Sequence, residues 1–185
     1  MNAIPIPIVS SAWLERLQRR NQSNYSAIWQ VLDQVKDPEV PVVSIWDLGI
    51  LTDVSQVPSE QGICTVVTIT PTYSGCPAMD AIRKAIGEVL TANEFTPYQV
   101  HTKLAPAWST DSISPEGRKQ LRDYGIAPPS TCCQHADGMT PEFGVECPHC
   151  GSSATKRISE FGSTACKALF QCQHCLEPFD YFKHL

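Results

Sequence analysis

Apolar residues recur at helical spacing where the chain first becomes well patterned. Ile28, Val31, Leu32 and Val35 fall three or four apart, which predicts an amphipathic helix over 24–36. Prolines at 38 and 41 end it, because the residue before a proline is pushed into extended backbone. "VSIWDLGILTDVSQV" then predicts a strand region, with Gly49 at a bulge or kink. After the turn "PSEQG", the β-branched run "ICTVVTITPT" predicts a second strand in a hairpin with the first. Met79, Ile82, Ile86 and Val89 form the stripe of a further helix, with Pro77 at its first position. "YQVHTKLAP" alternates Val100, Thr102 and Leu104 as a third strand. "SPEGRKQLRDYG" is a short polar helix, capped by Ser114, started by Pro115 and stopped by Gly125.

The order helix–strand–strand–helix–strand–helix predicts an α+β body with a small mixed sheet over 23–127. Residues 1–22 read as a loosely held N-terminal arm with a helical turn around Trp13 to Leu17. Prolines, glycines and small polar residues make 128–145 a linker. Residues 146–185 are a separate four-cysteine module. It is too short to fold on apolar burial alone, although Ile158, Phe161, Leu169, Phe170, Phe179, Tyr181 and Phe182 lie within it.

Charge narrows the function. The net charge of −5 sits mainly in 23–127, while 146–185 is balanced. No segment carries the basic patch a phosphate backbone requires, so nucleic acid is not expected as a partner. No apolar run approaches the roughly 20 residues of a membrane span, and the N-terminus lacks the pattern of a signal peptide. A cytoplasmic location is expected. There, nine cysteines point to metal or reactive thiols rather than disulfides.

Cys147-x2-Cys150, a gap of 21 residues, then Cys172-x2-Cys175 is close to zinc-ribbon spacing. Two such turns build a tetrahedral site of four thiolates, occupied by zinc or by rubredoxin-like iron. Gly151 permits the tight turn after Cys150. His149 and His174 are spare when four thiolates are present. Cys166 cannot join the same ion if "CKALFQC" is a strand, since about 20 Å would separate it from Cys172. It is either a small buried hydrophobe or a thiol facing the body.

Cys76 stands directly before Pro77, where it would occupy a helix N-cap and gain thiolate character from the helix dipole. Gly75 beside it allows close approach of a partner. A reactive thiol and a cysteine packed under the sheet are both consistent with that position. No histidine stands near it to serve as a base for nucleophilic catalysis. Asp37 in "DPEVP" can simply cap a turn. Asp47 in "IWDLGI" points either to solvent or inward to a site. Cys132, Cys133 and His135 in "TCCQHA" read as a weak metal or redox site, or as exposed bystanders.

Together, "DPEVPVVSIWDLGIL" and "TPTYSGCPAMDAI" resemble the SufT-like domain (domain of unknown function 59) of iron–sulfur assembly factors. "WSTDSISPEGRKQLRDYGIAPP" and "CPHCGSSATKRISEFGSTACKALFQCQHCLEPFDYFKHL" go further and closely resemble the PaaD family. That family accompanies the multicomponent 1,2-phenylacetyl-CoA epoxidase of aerobic phenylacetate degradation. The resemblance implies an accessory or maturation factor rather than an enzyme, serving the iron–sulfur cluster of the reductase or the di-iron centre of the oxygenase. It implies those components as partners, with iron–sulfur scaffold proteins beside them, and a transient cluster or iron as cargo. It marks Cys76 as the functional thiol and places Asp37, Glu39 and Asp47 in the same region. A structural accessory subunit without cofactor transfer is the alternative.

Overall fold

The computed structural model describes residues 10–129 and 140–185; Cys132, Cys133 and His135 lie outside the described residues. Helix α1 (Ser11–Gln22) replaces the loosely held arm expected there. Ser10 caps it, its Oγ accepting from the Trp13 N–H at 3.2 Å. Trp13 packs on Trp46 with ring centroids 5.3 Å apart, and Trp29 meets Trp46 from another side at 5.3 Å. Arg16 is buried beneath them, its guanidinium 4.2 Å from the Trp46 ring centroid. It donates to the carbonyls of Trp46 (2.7 Å), Leu51 (3.0 Å) and Ser112. Burial pushes its pKa down to about 10. The sequence pattern conceals this anchor because one face of α1 is charged and its apolar stripe is narrow.

Helix α2 (Ser26–Leu32) is shorter than expected and buries Ile28, Trp29 and Leu32. The segment after it is not a strand. Residues 42–49 fold back in turns, and strand β1 starts only at Leu51 (Leu51–Ser59). Val40, Val43, Ile45, Trp46, Leu48 and Ile50 are nevertheless all buried. The apolar run predicted burial correctly, but its backbone bonds are local: Ile45 N–H to Val35 O at 3.0 Å, and Ile50 N–H to Ile45 O at 2.9 Å. Two prolines and a glycine break the regular ladder a strand would need.

β1 and β2 (Gly62–Ile69) form the expected antiparallel hairpin. Helix α3 (Ala78–Ala92) then carries the chain to β3 (Tyr98–Thr102), which runs parallel to β2. The sheet order β1-β2-β3 is therefore mixed, and the body is α+β. α3 buries Ala78, Met79, Ile82, Ile86 and Leu90 against it. Helix α4 (Pro115–Asp123) is capped as read, with Ser114 Oγ accepting from the Gly117 N–H at 2.8 Å.

The C-terminal module is a sheet of β5 (Thr155–Ser159), β6 (Lys167–Cys172) and β7 (Pro178–Phe182). Its fourth strand is β4 (Ile126–Ala127), the last stretch before the linker, in the order β4-β7-β6-β5. Phe170, Phe179 and Tyr181 form a small separate core with Val145 and Ala168. Phe182 instead enters the body core and packs 6.0 Å from Trp108. Ile158 and Phe161 are exposed. Ribbon and body thus share a hydrogen-bonded strand and an aromatic anchor. No described helix is long and apolar enough to cross a membrane.

Candidate metal centre and thiol cleft

Cys147, Cys150, Cys172 and Cys175 come together with their ligand atoms all within 4.8 Å of one another. The sulfurs of Cys147 and Cys175 are 3.7 Å apart, and those of Cys150 and Cys172 are 3.6 Å apart. A regular tetrahedron with metal–sulfur bonds of about 2.3 Å has edges of about 3.8 Å, so this spacing fits a metal ion. The turns supply more than position. Cys147 O accepts from the Gly151 N–H at 2.9 Å, and Gly151 takes φ +73° to close that turn, where a side chain would be strained. The N–H groups of His174 and Cys175 both point at Cys172 Sγ at 3.4 Å. They hold that thiol down to about 6, within reach of the thiolate form a metal needs. His149 and His174 are exposed.

A second group lies at the other end of β6. Cys76, Asp37, Glu39, Thr72, Tyr73, Thr164 and Cys166 line one cleft of roughly 20 Å³, floored by Val40, Leu48 and Phe182. Cys76 precedes α3 by two residues rather than capping it, since the helix starts at Ala78. The Ala78 N–H and the Thr72 hydroxyl reach its sulfur, yet burial and the charges of Asp37 and Glu39 outweigh them and push the thiol up. The thiolate expected from helix position alone is thus opposed by desolvation. Gly75, at φ +85° with open space around its Cα, makes the turn that presents Cys76.

Asp37 serves both as turn cap and as lining. Its Oδ1 accepts from the N–H groups of Glu39 (2.8 Å) and Val40 (2.9 Å), and burial pushes its pKa up. Glu39 stands exposed at the rim. Asp47 does not reach the cleft. Its carboxylate accepts from Ser44 Oγ and Ser114 Oγ, each at 2.6 Å, and so ties the turn before β1 to the start of α4. Cys166 is half-buried, 3.0 Å from Thr164 Oγ1, and rests on the same core as Cys76. The reading of Cys166 as spare to the ribbon agrees with its place, one residue before a six-residue strand that ends at Cys172. Tyr73 was not singled out from sequence. It stands inside "TPTYSGC" and lines the cleft beside Cys76, and its own pKa is pushed up by burial and by the neighbouring thiols.

The fold and these two groups define the class: an iron–sulfur-assembly-type α+β domain joined to a zinc ribbon. Residues 26–94 match the family of iron–sulfur cluster assembly proteins, and residues 132–183 match the PaaD zinc beta ribbon domain. A protein of Escherichia coli (strain K12) that bears the provisional name of a 1,2-phenylacetyl-CoA epoxidase component is 49% identical over 170 residues, covering 92% of this chain and 99% of that one. The chain belongs to the PaaD family. Among solved structures, a domain of unknown function 59 from Bacillus anthracis is 27% identical, covering 58% of this chain and 95% of its own, with a TM-score of 0.47. A conserved hypothetical protein of Thermotoga maritima is 23% identical over 54% of this chain and 94% of its own, with a TM-score of 0.43. A Mycobacterium tuberculosis protein associated with [Fe-S] complex assembly and repair is 24% identical over 54% of this chain and 84% of its own, with a TM-score of 0.34.

Proposed function

We propose that the protein is an accessory factor that helps load the metal centre of a multicomponent phenylacetyl-CoA epoxidase, and that Cys76 is the thiol that carries the cargo. The cargo is iron or an iron–sulfur cluster, and the client is the reductase or the oxygenase component. The observation that carries this reading is the place of Cys76: half-buried, beside a helix start, in a cleft edged by Asp37 and Glu39. In the described body the other cysteine, Cys64, is fully buried in β2. Support also comes from the assembly-type domain and from the name borne by the Escherichia coli relative.

Chemistry follows from the thiol's surroundings. Burial keeps Cys76 protonated when no cargo is present, which limits oxidation and stray metal capture. Arrival of iron exchanges the S–H bond for an S–Fe bond and releases the proton to water. Handover reverses that exchange, and Tyr73 and Thr72 lie within reach to hydrogen-bond the sulfur. The ribbon ion is assigned a structural role. Zinc is the proposed occupant, because it fills four thiolates tetrahedrally and takes no part in redox chemistry.

The test is Cys76→Ser in a cell that depends on the epoxidase. Reductase and oxygenase components should still be made but, once purified, should lack iron, while the variant keeps its fold and its ribbon metal. Full iron occupancy and normal turnover would leave a purely structural role as the answer.

A further inference from the structure

Two thiols far apart in sequence face one cleft from two different parts of the molecule. Cys76 enters from the loop before α3, and Cys166 from the residue before β6. The four-thiolate ribbon site uses neither, and the length of β6 holds Cys166 away from it. Cys166 is fixed in place: its carbonyl accepts from the Lys183 N–H at 2.9 Å, and Phe182 beside that bond is anchored in the body core. The ribbon is thereby docked with Cys166 on the cleft that Cys76 also lines. Asp37 and Glu39 give the cleft negative charge. A nearby cation, Lys167, is buried and lies 3.8 Å from Asp180.

We propose that Cys76 and Cys166 together form a two-thiol site for a single soft or borderline divalent cation, iron(II) in the cell, held between the body and the ribbon. This rests on the reading of Cys76 as the cargo thiol; it adds the second ligand. Sulfur donors select such ions over magnesium or calcium. Two thiolates neutralise the ion's charge, and water fills the remaining positions. The cleft, at roughly 20 Å³, has room for an ion with a water molecule. Binding balances as two thiols and one M²⁺ giving one dithiolate complex and two protons. The ribbon then has a second purpose: its four-cysteine ion stiffens the sheet whose far end delivers Cys166.

The test uses the full chain, anaerobic, with the ribbon first loaded with zinc and cobalt(II) as the probe. Wild type should bind one further cobalt per chain, with a near-ultraviolet sulfur-to-cobalt band. Cobalt-edge X-ray absorption should count two sulfurs. Cys76→Ser and Cys166→Ser should each weaken that binding at least tenfold, while Cys132→Ser/Cys133→Ser should bind as wild type. Zinc content and circular dichroism check the fold of each variant. Wild-type affinity in Cys166→Ser, or fewer than two sulfurs in the wild-type spectrum, overturns the two-thiol site. The spectrum needs no variant, so a misfolded Cys166→Ser protein does not block the result. Loss of client iron in Cys76→Ser cells, alongside unchanged cobalt binding in Cys166→Ser, would retain the maturation role and remove only the second ligand.

Discussion

At Asp37 the cost of burying a carboxylate meets a turn's need for an acceptor. Oδ1 satisfies two N–H groups, yet burial raises the pKa from 3.8. A carboxyl whose folded pKa exceeds its unfolded one binds extra protons in the folded state between the two values. Stability therefore falls as pH rises through that window and stays at the lower level above it. Asp37→Asn keeps the acceptor and removes the charge. Its urea midpoint at pH 7 should equal or exceed that of wild type, and its stability should be flatter with pH from 3.8 upward. A loss of more than about 1 kcal/mol at pH 7 would show that the charge itself holds the turn. Arg16 presents the opposite case, a buried cation with three carbonyl acceptors and an aromatic face. Arg16→Ala should cost about 3 kcal/mol or more in chemical denaturation, because several charge-assisted bonds and their packing disappear together.

Among the elements, α4 and the ribbon are held by different means. Helix α4 depends on one hydroxyl: Ser114 Oγ accepts from Gly117 N–H and donates to Asp47 Oδ1. Ser114→Ala should destabilise the body by about 1–2 kcal/mol, read from the thermal midpoint. Cobalt binding by the zinc-loaded chain should be unaffected, since neither Ser114 nor Asp47 lines the cleft. The ribbon depends on its ion. A small core around Phe170, Phe179 and Tyr181 cannot offset the entropy of ordering its strands, whereas four thiolates on one ion can. Chelation should strip one metal per chain and open β5–β7 to proteolysis. Retained protection after complete metal loss would refute the structural role.

For the whole molecule, ribbon and body are mechanically coupled. β4 pairs with β7 at Ile126 and Ala127, and Phe182 fills a place beside Trp108. Loss of the ribbon metal should therefore not leave the body untouched, as two independent modules would. The body's thermal midpoint should fall as well, because Phe182 leaves its core. Phe182→Ala should cost about 3–5 kcal/mol and, by loosening the mount of Cys166, weaken cobalt binding while the ribbon keeps its zinc. An unchanged body midpoint on chelation would show that the two parts fold independently.

What sequence determined about this protein is the part written in local chemistry. The β-branched run at 62–69, the α3 stripe, the Ser114 cap and the paired C-x-x-C turns each carry their instructions within a few residues. Tertiary structure decided what required distant partners. The run at 42–50 is apolar enough for a strand, but it buries its side chains through turns because local bonds and two prolines win over a ladder. Arg16 looks like a surface charge until the carbonyls of Trp46, Leu51 and Ser112 gather around it. Asp47 shares a motif region with Asp37, but the folded chain turns it towards Ser114 and away from the cleft. Cys166 shows the limit most clearly. Strand length separates it from the ribbon ion, but only the docking of Phe182 and Lys183 brings it to the cleft that Cys76 lines, because the spacing along the chain carries no information about which surface a small module will pack against.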